Sequence, residues 1–172
     1  MPEPKKAKVV FLGLPKAGKT SLLQKLAVAL SQEDKLATDM LTMDWTGEQE
    51  LTMGNVVFRT FTISGRKQDR LLWKDYIYDG IAFVFVVDAT DSDNFHVVES
   101  ELHALLITDE LLGKPFAVMG TKIDQPAGVT EAVLRERLYL SQAENRPVKL
   151  FMCSFTTNVG YGDGLKWLAE RV

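Results

Sequence analysis

Short apolar runs alternate with longer segments of helical periodicity along this chain. Residues 9–12 read Val-Val-Phe-Leu, and four leucines between residues 22 and 30 then recur on one helical face. Residues 81–87 are apolar at every position, as a strand buried on both faces requires, and form the predicted centre of the sheet. This alternation predicts a parallel β-sheet with helices packed on it.

The remaining predicted elements complete a three-layer α/β fold. We expect a six-stranded, mostly parallel sheet with one antiparallel edge strand and helices on both faces. These elements are a β-hairpin over 51–63 that turns at Gly54 and Asn55, strands at 116–119 and 148–152, and helices over 95–106, 129–138 and 165–168. The polar segment 31–49 has little regular periodicity, and a long loop in a compact domain is usually functional.

Composition narrows the classes of function. With 172 residues, of which 46% are hydrophobic, the chain is predicted to form one domain over residues 1–172. Its 20 Lys and Arg against 23 Asp and Glu give a net charge of -3, so we expect no nucleic acid partner. Cys153 is the one cysteine, which excludes an internal disulfide and indicates a buried thiol in a reducing, cytoplasmic setting.

Signals for membrane attachment are not recognisable in the sequence. No apolar run reaches the length of a membrane span, and the first residues are too polar for a secretory signal. Residue 2 is Pro rather than Gly and the chain ends in Ala-Glu-Arg-Val, so neither a myristoylation nor a prenylation signal is expected. Any membrane contact is therefore expected to be peripheral.

Residues 13–20 read Gly-Leu-Pro-Lys-Ala-Gly-Lys-Thr and fit the phosphate-binding motif G-x-x-x-x-G-K-[ST] between a strand and a helix. Its glycines let backbone N–H groups face an anion, and Lys19 supplies a cation to the outer phosphates. The Thr20 hydroxyl would coordinate a magnesium ion that bridges those phosphates. Pro15 lacks an N–H, and Lys16 is expected to be solvated. The residues assigned to phosphate binding are Gly13, Pro15, Lys16, Ala17, Gly18, Lys19, Thr20 and Ser21.

A second motif follows the predicted strand at 116–119. Residues 121–124 read Thr-Lys-Ile-Asp, where a guanine-binding [NT]-K-x-D loop would lie. Asp124 can accept hydrogen bonds from N1–H and the 2-amino group of guanine, and the Lys122 stem can lie over the ring. Adenine lacks both donors, so such a site favours guanine by on the order of ten-thousand-fold. Thr121 replaces the more usual Asn, and we expect its shorter side chain to loosen the tie to the phosphate loop.

With both loops placed, the chain resembles the Sar family, in the Arf-like branch of the Ras-superfamily small GTPases. The likeness is densest at residues 151–154, Phe-Met-Cys-Ser, and at 160–162, Gly-Tyr-Gly, followed by Trp167. The resemblance implies a P-loop GTPase fold that binds GTP or GDP with Mg²⁺ and recruits a vesicle coat for export from the endoplasmic reticulum. It implies that backbone N–H groups of Ser154 and Phe155 contact the guanine oxygen. Exchange factors, GTPase activators and coat-type effectors are the implied partners, in the cytoplasm or peripherally on endomembranes.

The chain departs from that family where a switch operates. The family carries Asp-x-Gly-Gly-His, whereas residues 62–66 read Thr-Ile-Ser-Gly-Arg. Thr62 therefore replaces the acid that holds the water shell of magnesium, and Arg66 replaces the His that positions the attacking water. Loss of one such group typically costs about 10²- to 10⁴-fold in rate, so intrinsic hydrolysis is expected to be slow. Gly65 keeps the position whose backbone amide would meet the γ-phosphate.

The first switch and the N-terminus also differ from the family. Counting back from Phe58 and Phe61 places Gly47 where the family has its magnesium-binding Thr. A shift of one residue would bring Thr46 there, and Thr46 is a second candidate metal ligand. Few residues precede the first strand, so we expect no N-terminal amphipathic helix and no autonomous membrane insertion.

Three functions remain open. The leading one is a switch in which GTP and magnesium order residues 31–49 and 64–68 and expose a partner surface. Arg66 could then act in cis as an arginine finger, worth about 10³- to 10⁵-fold elsewhere, or be an ordinary solvated arginine. The main alternative is a GTP-clamped scaffold that scarcely hydrolyses, which Thr62 and Arg66 favour. The third, a P-loop kinase using ATP, conflicts with Asp124 in the base position.

Overall fold

The computed structural model describes residues 3–31, 48–143 and 146–172. Six strands form one sheet: β1 Lys5–Gly13, β2 Glu48–Met53, β3 Val56–Thr62, β4 Ala82–Asp88, β5 Phe116–Thr121 and β6 Val148–Met152. Their order is β2-β3-β1-β4-β5-β6, and all neighbours are parallel except the edge strand β2, which runs antiparallel to β3. The predicted six-stranded sheet with one antiparallel edge strand is confirmed.

Helices cover both faces of the sheet. Within the described residues the α-helices are α1 Lys19–Ser31, α2 Trp73–Ile77, α3 Phe95–Leu106, α4 Glu131–Arg137 and α5 Asp163–Ala169. Short 3₁₀ turns lie at Arg70–Leu72, Ser92–Asn94, Asp109–Leu111 and Leu140–Ala143. Of these helices, none combines the length and apolar character needed to cross a membrane.

The central strand β4 explains the layering. Phe83 and Phe85 point into a core built with α2, α3 and α4, while Val84 and Val86 point into a second core with α1 and α5. Because successive side chains of a strand point to opposite faces, a strand covered on both sides must be apolar throughout. The wholly apolar sequence of residues 81–87 is therefore a direct result of helices on both faces.

Two details of the fold differ from expectation or lie beyond the described residues. The first hairpin strand begins at Glu48 rather than at Leu51, because Gln49 pairs with Thr60 and its carbonyl accepts the Thr60 hydroxyl at 2.8 Å. Residues 32–47, most of the predicted polar switch segment, lie outside the described residues.

The thiol of Cys153 is buried, as the sequence predicted. Burial raises the pKa of Cys153 to about 12.

The parallel pairing decides where chemistry can occur. Strands β1, β4 and β5 end next to one another, with Gly13 paired to Val86 and Asp88 paired to Thr121. In open α/β sheets, ligands bind in the crevice outside these carboxyl ends. Both motifs found in the sequence follow these strand ends, so they meet at one edge of the sheet.

Candidate functional site

The turn between β1 and α1 requires glycine at both of its motif positions. Gly13 has φ +147° and Gly18 has φ +109°, outside the range that side-chain-bearing residues readily adopt. A Cβ on Gly13 would also lie 2.3 Å from the carbonyl oxygen of Val86. Lys16, at the crest, has φ +64°. The loop is thus bent tightly against the end of β4.

Lys19 lies at the mouth of this loop. Its side chain is largely buried, and Nζ donates to the carbonyl oxygens of Gly13 at 2.7 Å and Leu14 at 2.9 Å. Burial lowers the pKa of Lys19 to about 8, since a buried ammonium loses its hydration. Incoming phosphate oxygens would offer this ammonium stronger, charge-assisted hydrogen bonds than the two carbonyls do.

A cavity of about 450 Å³ opens beside Lys19. It brings together the phosphate loop, the segment after β3, Lys122 and Phe155, so ten of the fifteen described residues proposed from sequence line it. Its lining consists of Pro15, Lys16, Gly18, Lys19, Thr20, Ser21, Thr62, Ile63, Ser64, Gly65, Arg66, Lys122 and Phe155. The other five predicted residues do not line it: Gly13, Ala17, Thr121, Asp124 and Ser154.

Thr121 ties the base loop to the phosphate loop. Its side chain is fully buried, and Oγ1 lies 2.7 Å from the carbonyl oxygen of Ala17 and 3.1 Å from that of Val87. The expectation that a threonine would loosen this tie is therefore wrong. The fold brings Ala17 close enough for the shorter side chain to reach.

Lys122 makes a second tie between the loops. Its Nζ donates to the carbonyl oxygen of Lys16 at 3.0 Å and to Oδ2 of Asp88 at 2.7 Å. Burial acts to raise the pKa of Asp88, but hydrogen bonds from Lys122 and Thr90 outweigh it and hold that pKa below its usual value. In the sequence, Asp88 is only the first polar residue after the apolar run 81–87. No sequence signal could have revealed its role, because Asp88 is placed beside Thr121 of the neighbouring strand only by the register of the folded sheet.

The side chain of Ser154 holds the carboxylate of Asp124 in place. The Ser154 hydroxyl donates to Oδ1 of Asp124 at 2.8 Å. The Ser154 N–H donates to the carbonyl oxygen of Val159 at 2.9 Å in an antiparallel bridge, so in this structure that N–H is not free for the predicted contact with the guanine oxygen. Among the described residues, the N–H of Phe155 has no such partner, and the Phe155 ring packs close to Gly18.

The segment after β3 lies directly on the phosphate loop. A Cβ on Gly65 would lie only 1.9 Å from the carbonyl oxygen of Gly13, so the backbone of Gly65 touches the loop. The indole Nε1 of Trp73 donates to the Ser64 carbonyl oxygen at 3.0 Å and fixes this approach. Arg66, whose side chain is 66% exposed, places Nε 2.9 Å from Oδ2 of Asp69.

Two hydroxyls in the cavity suit a magnesium ion. Thr20 and Thr62 both line it, and the buried Oγ1 of Thr62 has no hydrogen-bond partner in the described part of the chain. The same residues include no group of three His, Cys, Asp or Glu side chains that could hold a metal ion. Magnesium prefers oxygen ligands, keeps several waters and uses substrate phosphates, so this sparse donor set fits it. Thr46, the other predicted ligand, lies outside the described residues.

Comparison with known proteins agrees with this geometry. The family model described as "Arf: ADP-ribosylation factor family" matches residues 1–172. The Small COPII coat GTPase SAR1 of Nicotiana tabacum is 32% identical, over 98% of this chain and 90% of the relative. ADP-ribosylation factor-like protein 8b of Arabidopsis thaliana is 34% identical, over 94% of this chain and 85% of the relative.

A solved structure supports the fold and the kind of ligand. The Arl6 BBS3 small GTPase from Trypanosoma brucei, with the bound nucleotide analogue GppNp, superposes with a TM-score of 0.80 at 28% identity. The match covers 97% of each chain.

Proposed function

The chain belongs to the ADP-ribosylation factor family, the Arf/Sar-like small GTPases of the Ras superfamily, and we propose that it is a GTP-controlled switch with slow intrinsic hydrolysis. The proposed single domain spans residues 1–172. GTP and GDP differ by one phosphate. A switch must therefore sense that phosphate near Lys19, and its presence must change the conformation of the segment after β3. Gly65, in contact with the phosphate loop, is the proposed sensor.

The proposed nucleotide contacts follow from the two tied loops. Phosphates would accept hydrogen bonds from backbone N–H groups between Gly13 and Ser21 and from the Lys19 ammonium. The guanine would lie against the stem of Lys122, with its N1–H and 2-amino group donating to Asp124 and its oxygen accepting from the Phe155 N–H. Thr20 would hold magnesium, whose charge would balance that of the phosphates.

One observation carries the proposal of guanine recognition: the Ser154 hydroxyl fixes Asp124 at 2.8 Å, beside a lysine tied to the phosphate loop at 3.0 Å. A carboxylate oriented in this way presents two acceptors to a base with two adjacent donors. Adenine would face it with an acceptor and no 2-amino donor, leaving the carboxylate unpaired. The kinase alternative with ATP is disfavoured for this reason.

Competition binding tests this proposal. A fluorescent GDP analogue bound to the protein should be displaced by GTP and GDP but not by an equal excess of ATP or xanthine nucleotides. Asp124→Asn should lower the affinity for GDP by about 10- to 100-fold, the loss typical of hydrogen bonds to a charged group. Asp109→Asn, an exposed acid in a 3₁₀ turn, is the matched control. Displacement by ATP as readily as by GDP would reject guanine recognition.

The cellular role is proposed from the relatives. The chain is similar to small COPII coat GTPases, which supports a role in recruiting a vesicle coat during intracellular protein transport. Such a switch would act in the cytoplasm, peripherally on endomembranes, with an exchange factor and a GTPase activator as partners. Faster GTP hydrolysis in a membrane-associated protein fraction than in buffer would support this role.

A GTP-clamped scaffold is the second candidate, favoured by the neutral Thr62 hydroxyl where the family has an acid. Single-turnover hydrolysis separates the two. The protein is loaded with GTP in chelator, and magnesium is then added. Conversion to GDP at a magnesium-dependent rate supports the switch, whereas persistent GTP, even with partner proteins added, supports the scaffold.

A further inference from the structure

We propose that Asp69 is a latch that holds the Arg66 guanidinium away from the nucleotide until a third phosphate takes it over. Arg66 would then read the difference between GTP and GDP, and Asp69 would act as its positioning residue. This inference rests on the proposed nucleotide switch and adds a regulatory contact to the same site.

The latch is a compact, three-residue arrangement. Arg66 Nε lies 2.9 Å from Oδ2 of Asp69 and 3.4 Å from Oγ of Ser64, and the Ser64 hydroxyl donates to the same Asp69 oxygen at 2.8 Å. The Ser64 hydroxyl and the Arg66 guanidinium hold the pKa of Asp69 below its usual value, so its carboxylate remains charged at neutral pH. Arg66 is thus held by a charged partner in its own turn.

The Arg66 guanidinium keeps unused hydrogen-bond donors in this arrangement. Only Nε of its guanidinium is bonded to Asp69, and both terminal nitrogens make no hydrogen bond within the described residues. The guanidinium is a planar fork that binds carboxylate or phosphate through two parallel hydrogen bonds. A single bond to Asp69 is therefore a weaker use of Arg66 than a phosphate with several free oxygens would offer.

The backbone places Arg66 within reach of that phosphate. Gly65 and the Lys19 ammonium both meet the carbonyl oxygen of Gly13, the ammonium at 2.7 Å. Arg66 follows Gly65 directly, and consecutive Cα atoms are about 3.8 Å apart. The Arg66 backbone is therefore close to the Gly13 carbonyl oxygen and to the Lys19 ammonium. Arg66 also lines the same cavity as Lys19 and Thr20. A turn of its side chain from Asp69 towards the cavity would bring it to the outer phosphates.

Trp73 reports on the latch independently of hydrolysis. Its indole N–H is bonded to the carbonyl oxygen of Ser64, the residue that also contacts Asp69 and Arg66. Release of the latch should therefore change the environment of this indole. Trp45 belongs to the proposed switch segment 31–49, so the measurement is made on a Trp45→Phe background. There we expect the tryptophan fluorescence to differ between the GDP form and the form with a non-hydrolysable GTP analogue, and adding Trp73→Phe should remove that difference.

The test is a double-mutant cycle on the ratio of the affinities for the GTP analogue and GDP. Asp69→Asn should raise this ratio by about two- to fivefold, since an exposed ion pair contributes that much. Arg66→Ala should lower this ratio of affinities by about tenfold, which is the lower end of the loss expected when one hydrogen bond to a charged group is removed. In the Arg66→Ala background, Asp69→Asn should have no further effect, because the latch then holds nothing. Asp109→Asn is the remote control.

Each failure has a distinct meaning. If Asp69→Asn changes the affinities for both nucleotides equally, or changes the ratio just as much without Arg66, the latch is refuted. If none of the proteins, including the parent, binds guanine nucleotide, the proposed function itself fails. If Asp69→Asn raises the ratio only when Arg66 is present, and Trp73 fluorescence follows, the latch is established.

Discussion

Replacing Gly65 by alanine would place a methyl group inside the backbone of the phosphate loop. The added Cβ would lie 1.9 Å from the carbonyl oxygen of Gly13, 2.7 Å from the carbonyl carbon of Leu14 and 2.8 Å from its Cα. These are backbone atoms, which cannot rotate aside as a flexible side chain can. Gly65 has no left-handed φ, so the steric contact alone is the cause. Either the phosphate loop or the segment after β3 must move.

The size of the effect follows from the cost of overpacking. An extra methyl group in a tightly packed place typically destabilises a protein by about 1–3 kcal/mol. In a chain of this length, 1 kcal/mol corresponds to about 2–4 °C, so the melting temperature should fall by about 2–12 °C. Separation of Gly65 from the loop would also remove the proposed γ-phosphate contact. Affinity for a GTP analogue should therefore fall more than affinity for GDP.

Gly162→Ala is the matched control. No atom lies within 4 Å of a Cβ built on Gly162, and its φ of -89° is one that alanine adopts freely. Thermal unfolding followed by circular dichroism, together with nucleotide titration, would compare the two variants with the parent. The reasoning is wrong if Gly65→Ala melts at the same temperature as Gly162→Ala and keeps the parent's preference for the GTP analogue.

The remaining predictions concern buried polar groups of the site. Thr121→Val should destabilise the protein by about 1–3 kcal/mol in urea unfolding, because it leaves the carbonyl oxygen of Ala17 without its buried donor, and Thr121→Ser should retain most of the stability. An unchanged midpoint for Thr121→Val would contradict this. The pKa of Lys19 near 8 predicts that nucleotide affinity is constant below about pH 8 and falls above it by up to tenfold per pH unit, since phosphates bind the protonated ammonium. Titration with a fluorescent GDP analogue between about pH 6.5 and 9.5 measures this, and an affinity that rises over that range would refute it.

Most of the fold followed from local patterns in the sequence. The uniform apolar run that became β4 and the stripe from Phe95 to Leu106 were both placed correctly, because burial on both faces of a strand and on one face of a helix leaves a clear periodicity. Both motifs could be assigned to loops after strands for the same reason. The first residues of β2 were missed because Glu48 and Gln49 are polar and pair through their backbones.

The roles of supporting polar residues could not be obtained in this way. Asp88 and Lys122 lie 34 residues apart in the chain, and Ser154 and Asp124 lie 30 apart, yet each pair is within hydrogen-bonding distance. These contacts depend on the register of parallel strands that are not adjacent in sequence. The same holds for the backbone of Ser154, because only the folded structure shows the bridge to Val159 that engages its N–H.

The sequence by itself determined that a glycine-rich phosphate loop and a Lys-x-Asp loop each follow a buried strand, because these features depend on residue type and close spacing. The tertiary structure alone decided how the two loops are joined, through Thr121 to Ala17 and Lys122 to Lys16, and where Arg66 is held. The physical reason is that a hydrogen bond acts over about 3 Å, whereas the residues it joins are brought together only by the packing of the whole sheet.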